Sequence, residues 1–214
     1  AYGTATMNSF VLHTTQDLAE LPEAAPTLFG FGTLLIVEEF LTVGRELNCD
    51  GVVIGGRAVA TVCSSYTRPV LGAARVLMGG YTLPQGTELE EELLHLHDAT
   101  VRALGMQSGV THMEVLSSPR GLLVGEIACR PGGAGVSRNA FLARGLDIWS
   151  AFYAESLGWD VSSVLANFHD ESGVHFWAKL PIETGTVGYV SPPDELMRLP
   201  GMIEVDLHLV AGDR

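Results

Sequence analysis

The chain has 214 residues, of which 47% are hydrophobic and 17% charged, with a formal net charge of -13. That length and apolar content support one substantial core, or two small ones sharing an interface, and exclude a disordered polymer. The acidic excess argues against a nucleic-acid binder, which needs a basic stripe, and no apolar run approaches the roughly 18–20 residues that cross a bilayer.

The elements read as a mixed α/β protein whose strands pair mostly as hairpins. The chain opens on Ala1-Tyr2-Gly3-Thr4 without Met, a basic leader or an apolar core. We therefore expect no signal peptide, and a processed or excised chain. A strand near 9–13 precedes a short capped helix over 14–21, and 34–38 (Leu-Leu-Ile-Val-Glu) reads as an apolar strand. Residues 46–54 and 57–65 alternate around Gly55-Gly56, a dipeptide suited to the positive φ angles of a tight hairpin. A helix is predicted over 88–104, with Thr87 and Glu90 as a capping box and Leu89, Leu93, Leu96, Thr100, Val101 and Leu104 on one face. His95 and His97 fall on different faces of it and read as solvated or rim histidines. A second helix is predicted over about 139–157. The tail 176–209 reads as two strand-like stretches around a short helix at 193–198, with Ile203, Val205, Leu207 and Leu209 alternating.

Cys49, Cys63 and Cys129 are odd in number and far apart, with no zinc spacing, and read as free thiols in a reducing cytoplasm. Lys179 is the only lysine beside eleven arginines.

The richest stretch is 109–135. Strands over 110–117 and 122–129 flank Pro119-Arg120-Gly121, a common three-residue hairpin connection. Pairing Ser118 with Leu122 places Glu114 opposite Glu126 on one face, whereas a slip of one residue would separate them. Two opposed carboxylates repel unless one takes a proton or a cation lies between them. Mg²⁺ suits such hard oxygen ligands and completes its shell with phosphate and water. By strand period Ala128 and Arg130 share the face of Glu126. The cluster reads either as a metal–phosphate site or as an ordinary ion-pair network on a solvated face. Pro131-Gly132-Gly133-Ala134-Gly135 adds backbone N–H groups able to approach an anion.

A second acidic segment, 36–50, places a connector containing Phe40 and Leu41 between a strand ending at Glu38 and one starting near Glu46. The connector can offer backbone groups and an apolar edge to a flat heterocycle, and Glu46 can accept from sugar hydroxyls. An ordinary strand–loop–strand remains the alternative.

Val37-Glu38-Glu39-Phe40-Leu41 with Gly44-Arg45-Glu46 resembles the nucleotide hinge of ATP-grasp enzymes. His112-Met113-Glu114 followed by Glu126-Ile127-Ala128-Cys129-Arg130-Pro131-Gly132-Gly133 resembles their metal hairpin, most closely in carboxylate–amine ligases of the L-amino-acid ligase type. Glu183-Thr184-Gly185-Thr186-Val187 and Leu199-Pro200-Gly201 extend the likeness into the tail. The resemblance implies an α+β fold: an ATP-grasp C-terminal catalytic subdomain with a mainly antiparallel sheet flanked by helices. It implies a lid-subdomain remnant over 1–35, the catalytic subdomain over 36–170 and a truncated strand-rich extension over 171–214. It assigns Glu38 to the adenine amino group, Phe40 and Leu41 to the hinge and Glu46 to the ribose. Glu114 and Glu126 become Mg²⁺ ligands, Arg130 the catalytic arginine on phosphoryl and acyl-phosphate oxygens, and Gly132 and Gly133, with Arg130, the substrate loop.

The implied activity is ATP- and Mg²⁺-dependent joining of a carboxylate to an amine, both small molecules and most naturally amino acids, in the cytoplasm. Three departures stand against it. Ala128 replaces the usual Asn, the ATP lysines of the family precede the equivalent of this chain's start and Lys179 matches neither, and Thr42-Val43-Gly44 is one residue longer than usual. Ala1–Ser9 resembles the phosphate-covering loop with fewer glycines. The expectation is a fragment or subunit whose partner is the missing N-terminal part, with a homodimer left open and no nucleic-acid or membrane partner. A non-catalytic module that keeps the fold, or another ATP-grasp reaction such as carboxylation, is the alternative.

Overall fold

A computed structural model of the chain describes residues 9–29, 34–71, 76–169, 173–181 and 185–213. The motif segment Ala1–Asn8 and the tail residues Glu183 and Thr184 lie outside the described residues. Two compact units divide the chain, Ala1–Leu180 and Pro181–Arg214.

The first unit is built on a six-stranded antiparallel sheet. Its strands are β1 (Arg45–Ile54), β2 (Arg57–Tyr66), β3 (Met78–Thr82), β4 (Ser108–Ser118), β5 (Gly121–Ala128) and β6 (Phe176–Lys179), in the order β5-β4-β1-β2-β3-β6. The β1–β2 hairpin turns at Gly55 and Gly56 with φ of 58° and 78°, the left-handed pair that a two-residue turn between right-twisted strands requires.

Alternation along β1 and β4 sends two residue sets to opposite faces. On one face Leu47, Cys49, Cys63, Met113 and Val115 form a core with Leu93 of helix α2 (Glu88–Ala103). The Thr87 hydroxyl caps α2 by accepting from Glu90 N, while Glu90 reaches back to Gly86 N at 2.8 Å. His97 is no rim residue. It is fully buried on this face, bridging the Thr61 and Thr111 hydroxyls at 3.1 and 2.8 Å, because Gly51 beneath it leaves room for the ring.

On the other face Val52, Ala60, Val62 and Val110 pack under α3 (Val136–Arg144) and α4 (Ile148–Ser156) through Ala140, Leu146, Ile148 and Ala151. The single helix expected over 139–157 is two. Gly145, left-handed at φ 67°, ends α3, and the Asp147 side chain caps α4. A Cβ at 145 would also meet the backbone carbonyl of Asn167.

Helix α1 (Thr15–Ala24) carries a complete capping box between Thr14 and Asp17. The strands expected at 9–13 and 34–38 do not form. Ile36 and Val37 stand 85% and 86% exposed, so an apolar run alone did not make a strand without a partner edge. Residues 162–165 form a single turn, α5 (Ser162–Leu165). In the second unit the short helix is α6 (Pro193–Leu196), and the alternating stretch 203–209 forms no strand.

Candidate metal and nucleotide site

The face of the sheet that α3 and α4 cover is apolar only at one end. Walking back along β1 from Val52, the residues on that face become Asp50, Asn48 and Glu46, all buried. Their partners on β4 are His112 for Asp50, Glu114 for Asn48 and Leu116 for Glu46. Across β4 and β5, Glu114 pairs with Glu126 and His112 with Ala128. A row running Glu126, Glu114, Asn48, Ser64 therefore crosses four strands, with Ala128, His112 and Asp50 in the next row.

The expected opposition of Glu114 and Glu126 is observed, but by another route. The turn is tighter than predicted, pairing Ser118 with Gly121, and a one-residue shift between Glu114 and Val115 restores the register. Glu114 Oε1 lies 3.4 Å from both the Tyr66 hydroxyl and His112 Nε2, while Glu126 is exposed. Both carboxylates act on Glu46. Burial chiefly, then the charges of Glu114 and Glu126, push the Glu46 carboxyl above its ordinary value, against a hydrogen bond from Val70 N at 2.8 Å. The Tyr66 phenol is pushed up by burial and by the carboxylates around it.

His112 lies within the motif but has no role assigned by sequence, and Asp50 and Asn48 are not singled out by it. His112 is inside the site, its Nδ1 3.1 Å from Asp50 Oδ1. Burial opposes its charge, but the hydrogen bonds to Asp50 and Glu114 and their negative charges outweigh that and raise the imidazole to about 9. Asn48 is enclosed with neither amide atom hydrogen bonded among the described residues. The available signal was alternation: Glu46, Asn48 and Asp50 interleave with Leu47 and Cys49 in a strand buried on both faces.

Gly132 closes the site from above. Its N–H donates to Asp50 Oδ1 at 3.1 Å, and a Cβ there would fall 2.6 Å from that oxygen and 2.9 Å from His112 Nδ1. Ser137 Oγ, in α3, donates to the Gly132 carbonyl at 2.7 Å. Gly133 has open space around it. Arg130, just past β5, is exposed and donates to the Pro131 carbonyl at 3.0 Å. The hinge residues Glu38 and Phe40 are exposed and Leu41 half-buried, with Phe40 edge-on to His13 at 6.3 Å. Glu39 ties this segment to the β4–β5 turn through Arg120 at 2.7 Å.

Hard oxygen donors at Glu114 and Glu126, one half-buried and one exposed, fit Mg²⁺. Among the described residues no three His, Cys, Asp or Glu side chains gather as a metal-binding group; a cation held by this pair would have to complete its shell with phosphate and water. Among these residues, too, no helix is long and apolar enough to cross a membrane.

The antiparallel six-stranded sheet with flanking helices is an α+β fold that solved ligase structures share. The chain is 28% identical over 217 residues to the L-arginine-specific L-amino acid ligase of Bacillus subtilis, across all of this chain and 52% of that protein. Its structure matches L-amino acid ligase from Bacillus licheniformis with a TM-score of 0.68 at 18% identity, over 94% of this chain and 50% of the other. N5-carboxyaminoimidazole ribonucleotide synthetase from Thermus thermophilus matches with a TM-score of 0.55 at 17% identity, over 88% and 47%. No family model matches. The chain thus spans about half the length of the curated relative and solved structures it matches. The likeness to the L-amino acid ligases, first carried by short motifs, runs the whole length of this chain.

Proposed function

We propose that the chain is the C-terminal part of an ATP- and Mg²⁺-dependent carboxylate–amine ligase acting on small amino-acid substrates. The observation that carries this reading is the in-register opposition of Glu114 and Glu126 beside the Gly132–Gly133 loop. In this reading Glu114 and Glu126 hold Mg²⁺, Glu46 accepts from the ribose, and Glu38, Phe40 and Leu41 border the adenine. Residues 1–35 contribute the remnant of a lid, and the rest of the enzyme is the missing partner.

When bound, Mg·ATP supplies the phosphoryl group that activates the carboxylate for attack by an amine. The protein's own residues position and neutralise, since phosphoryl transfer asks for geometry and charge more than for a nucleophilic side chain. Glu114 and Glu126 fix the cation. Arg130, exposed at the end of β5, would supply a guanidinium able to neutralise phosphoryl and acyl oxygens. Gly132 and Gly133 let backbone approach the substrate without side-chain bulk.

Titration calorimetry with a Mg·ATP analogue tests the site. Binding by the wild-type chain that is lost in a Glu114→Ala, Glu126→Ala variant supports it, and equal affinity in the two proteins removes it. Phosphate release by the full-length gene product against pairs of amino acids tests the activity. Because Ala128 departs from the ligase pattern, binding with silence across the panel would favour a non-catalytic module.

A further inference from the structure

Four groups form a continuous path from the glycine-rich loop to the carboxylate pair, buried except at its Glu114 end. Gly132 N–H donates to Asp50 Oδ1 at 3.1 Å, His112 Nδ1 lies 3.1 Å from the same oxygen, and His112 Nε2 lies 3.4 Å from Glu114 Oε1. The Asp50 and His112 side chains are 1% and 3% exposed, so water does not compete for the bond between them. Asp50 and His112 are strand partners, and Glu114 follows His112 on the same face of β4, which ties the middle of the path to the sheet.

Two further observations show that the path is built rather than incidental. Any side chain at 132 would collide with both Asp50 Oδ1 and His112 Nδ1. The small side chain of Ala128 faces His112 across β4 and β5, at the position where the ligase pattern carries an amide. The polar group beside the carboxylate pair comes from β4 instead of β5.

We propose that His112, held by Asp50, is a positioning residue that couples the Glu114–Glu126 pair to the substrate loop. Cation binding at the pair pulls on Glu114, and the pull reaches the Gly132 amide through His112 and Asp50. In the ligase reading, on which this inference rests, the coupling sets the loop that receives the carboxylate in register with the metal-bound phosphate. A carboxylate is usually oriented by such a hydrogen-bonded neighbour, and loss of that neighbour costs about 10- to 100-fold in metal affinity.

The test is a MgCl₂ titration of the ¹⁵N-labelled chain followed by amide spectra. In the wild type the Gly132 amide moves with Mg²⁺ and saturates together with the amides around Glu114 and Glu126. In His112→Leu, Mg²⁺ binds about 10- to 100-fold more weakly and the Gly132 amide stays still even at saturation. His112→Gln, whose amide still donates to a carboxylate, recovers part of the response. Asp50→Asn carries the same test should His112→Leu fail to fold, which the β1–β4 amides report directly. If Mg²⁺ moves the amides around the pair but not Gly132, or if Gly132 still responds in His112→Leu, the coupling is overturned while the metal site stands. If Mg²⁺ moves nothing in the wild type, the metal site falls and takes the coupling with it.

Discussion

Glu114 and Glu126 are strand partners across β4 and β5, held opposite each other by a one-residue bulge at Gly125. Two like charges at directly opposed sheet positions destabilise by roughly 0.2–1 kcal/mol. Glu126→Gln should therefore raise the metal-free stability by about 0.5 kcal/mol. The same change should abolish any rise in melting temperature on adding MgCl₂, because one of two protein ligands is gone. Thermal unfolding with and without the salt reads both effects. A variant that melts lower without metal would show that the carboxylates do not repel.

Asn48 makes a second prediction. Its amide is enclosed in the row beside Glu114 without a hydrogen bond among the described residues, a state that costs about 1–3 kcal/mol. Asn48→Leu, similar in volume, should stabilise the chain to chemical denaturation by about 1 kcal/mol or more. It should also weaken binding of a Mg·ATP analogue, the usual exchange when a polar group is kept for function. Unchanged binding in a stabilised variant would take Asn48 out of the site.

His97 ties stability to pH. Burial lowers its imidazole to about 4, against an ordinary value of 6.5, with Asp98 opposing weakly. The folded chain keeps this ring neutral while the unfolded chain protonates it, so its contribution is complete above pH 6.5. It is lost as pH falls from there toward 4. The slope is about 1.4 kcal/mol per pH unit, or roughly 2 kcal/mol between pH 6.5 and 5. Denaturation midpoints at pH 7 and 5 should show that loss in the wild type. His97→Leu, although less stable at pH 7 for want of two hydrogen bonds, should lack this part of the loss.

The β1–β2 hairpin, α2 and the acidic hairpin were legible because each rests on local chemistry: Gly55-Gly56, Thr87 with Glu90, and alternation around Pro119-Arg120-Gly121. Residues 34–38 and 203–209 have the composition of strands but no partner edge, and pairing is a tertiary fact that composition cannot supply. The break at Gly145 was missed because the apolar positions on its two sides keep one helical phase. The hairpin register singled out Glu114 and Glu126, and the pairing bore out their opposition, although through a tighter turn and a bulge that no propensity signals. His112, Asp50 and Asn48 stayed silent because their roles arise where three strands meet, and each looks ordinary on its own strand.

The thiols test how α2 sits on the sheet. Cys49 and Cys63 are strand partners with Sγ atoms 3.5 Å apart, both buried, and Cys49 also lies 3.9 Å from the Leu93 carbonyl of α2. Its hydrogen bond with Cys63 and its burial push the Cys49 thiol up, so it has little thiolate to react. Cys129 is exposed at the end of β5. A thiol reagent should therefore consume one equivalent quickly at Cys129, with Cys49 and Cys63 reacting only as the chain opens. A domain of ordinary stability, about 5–15 kcal/mol, protects such groups by at least a thousandfold. Their slow rates should rise with denaturant in step with global unfolding, since α2 must leave the sheet to expose either one. Fast reaction at Cys49 in the native chain, located by mass spectrometry of the labelled peptides, would place α2 elsewhere and undo the core assigned to that face.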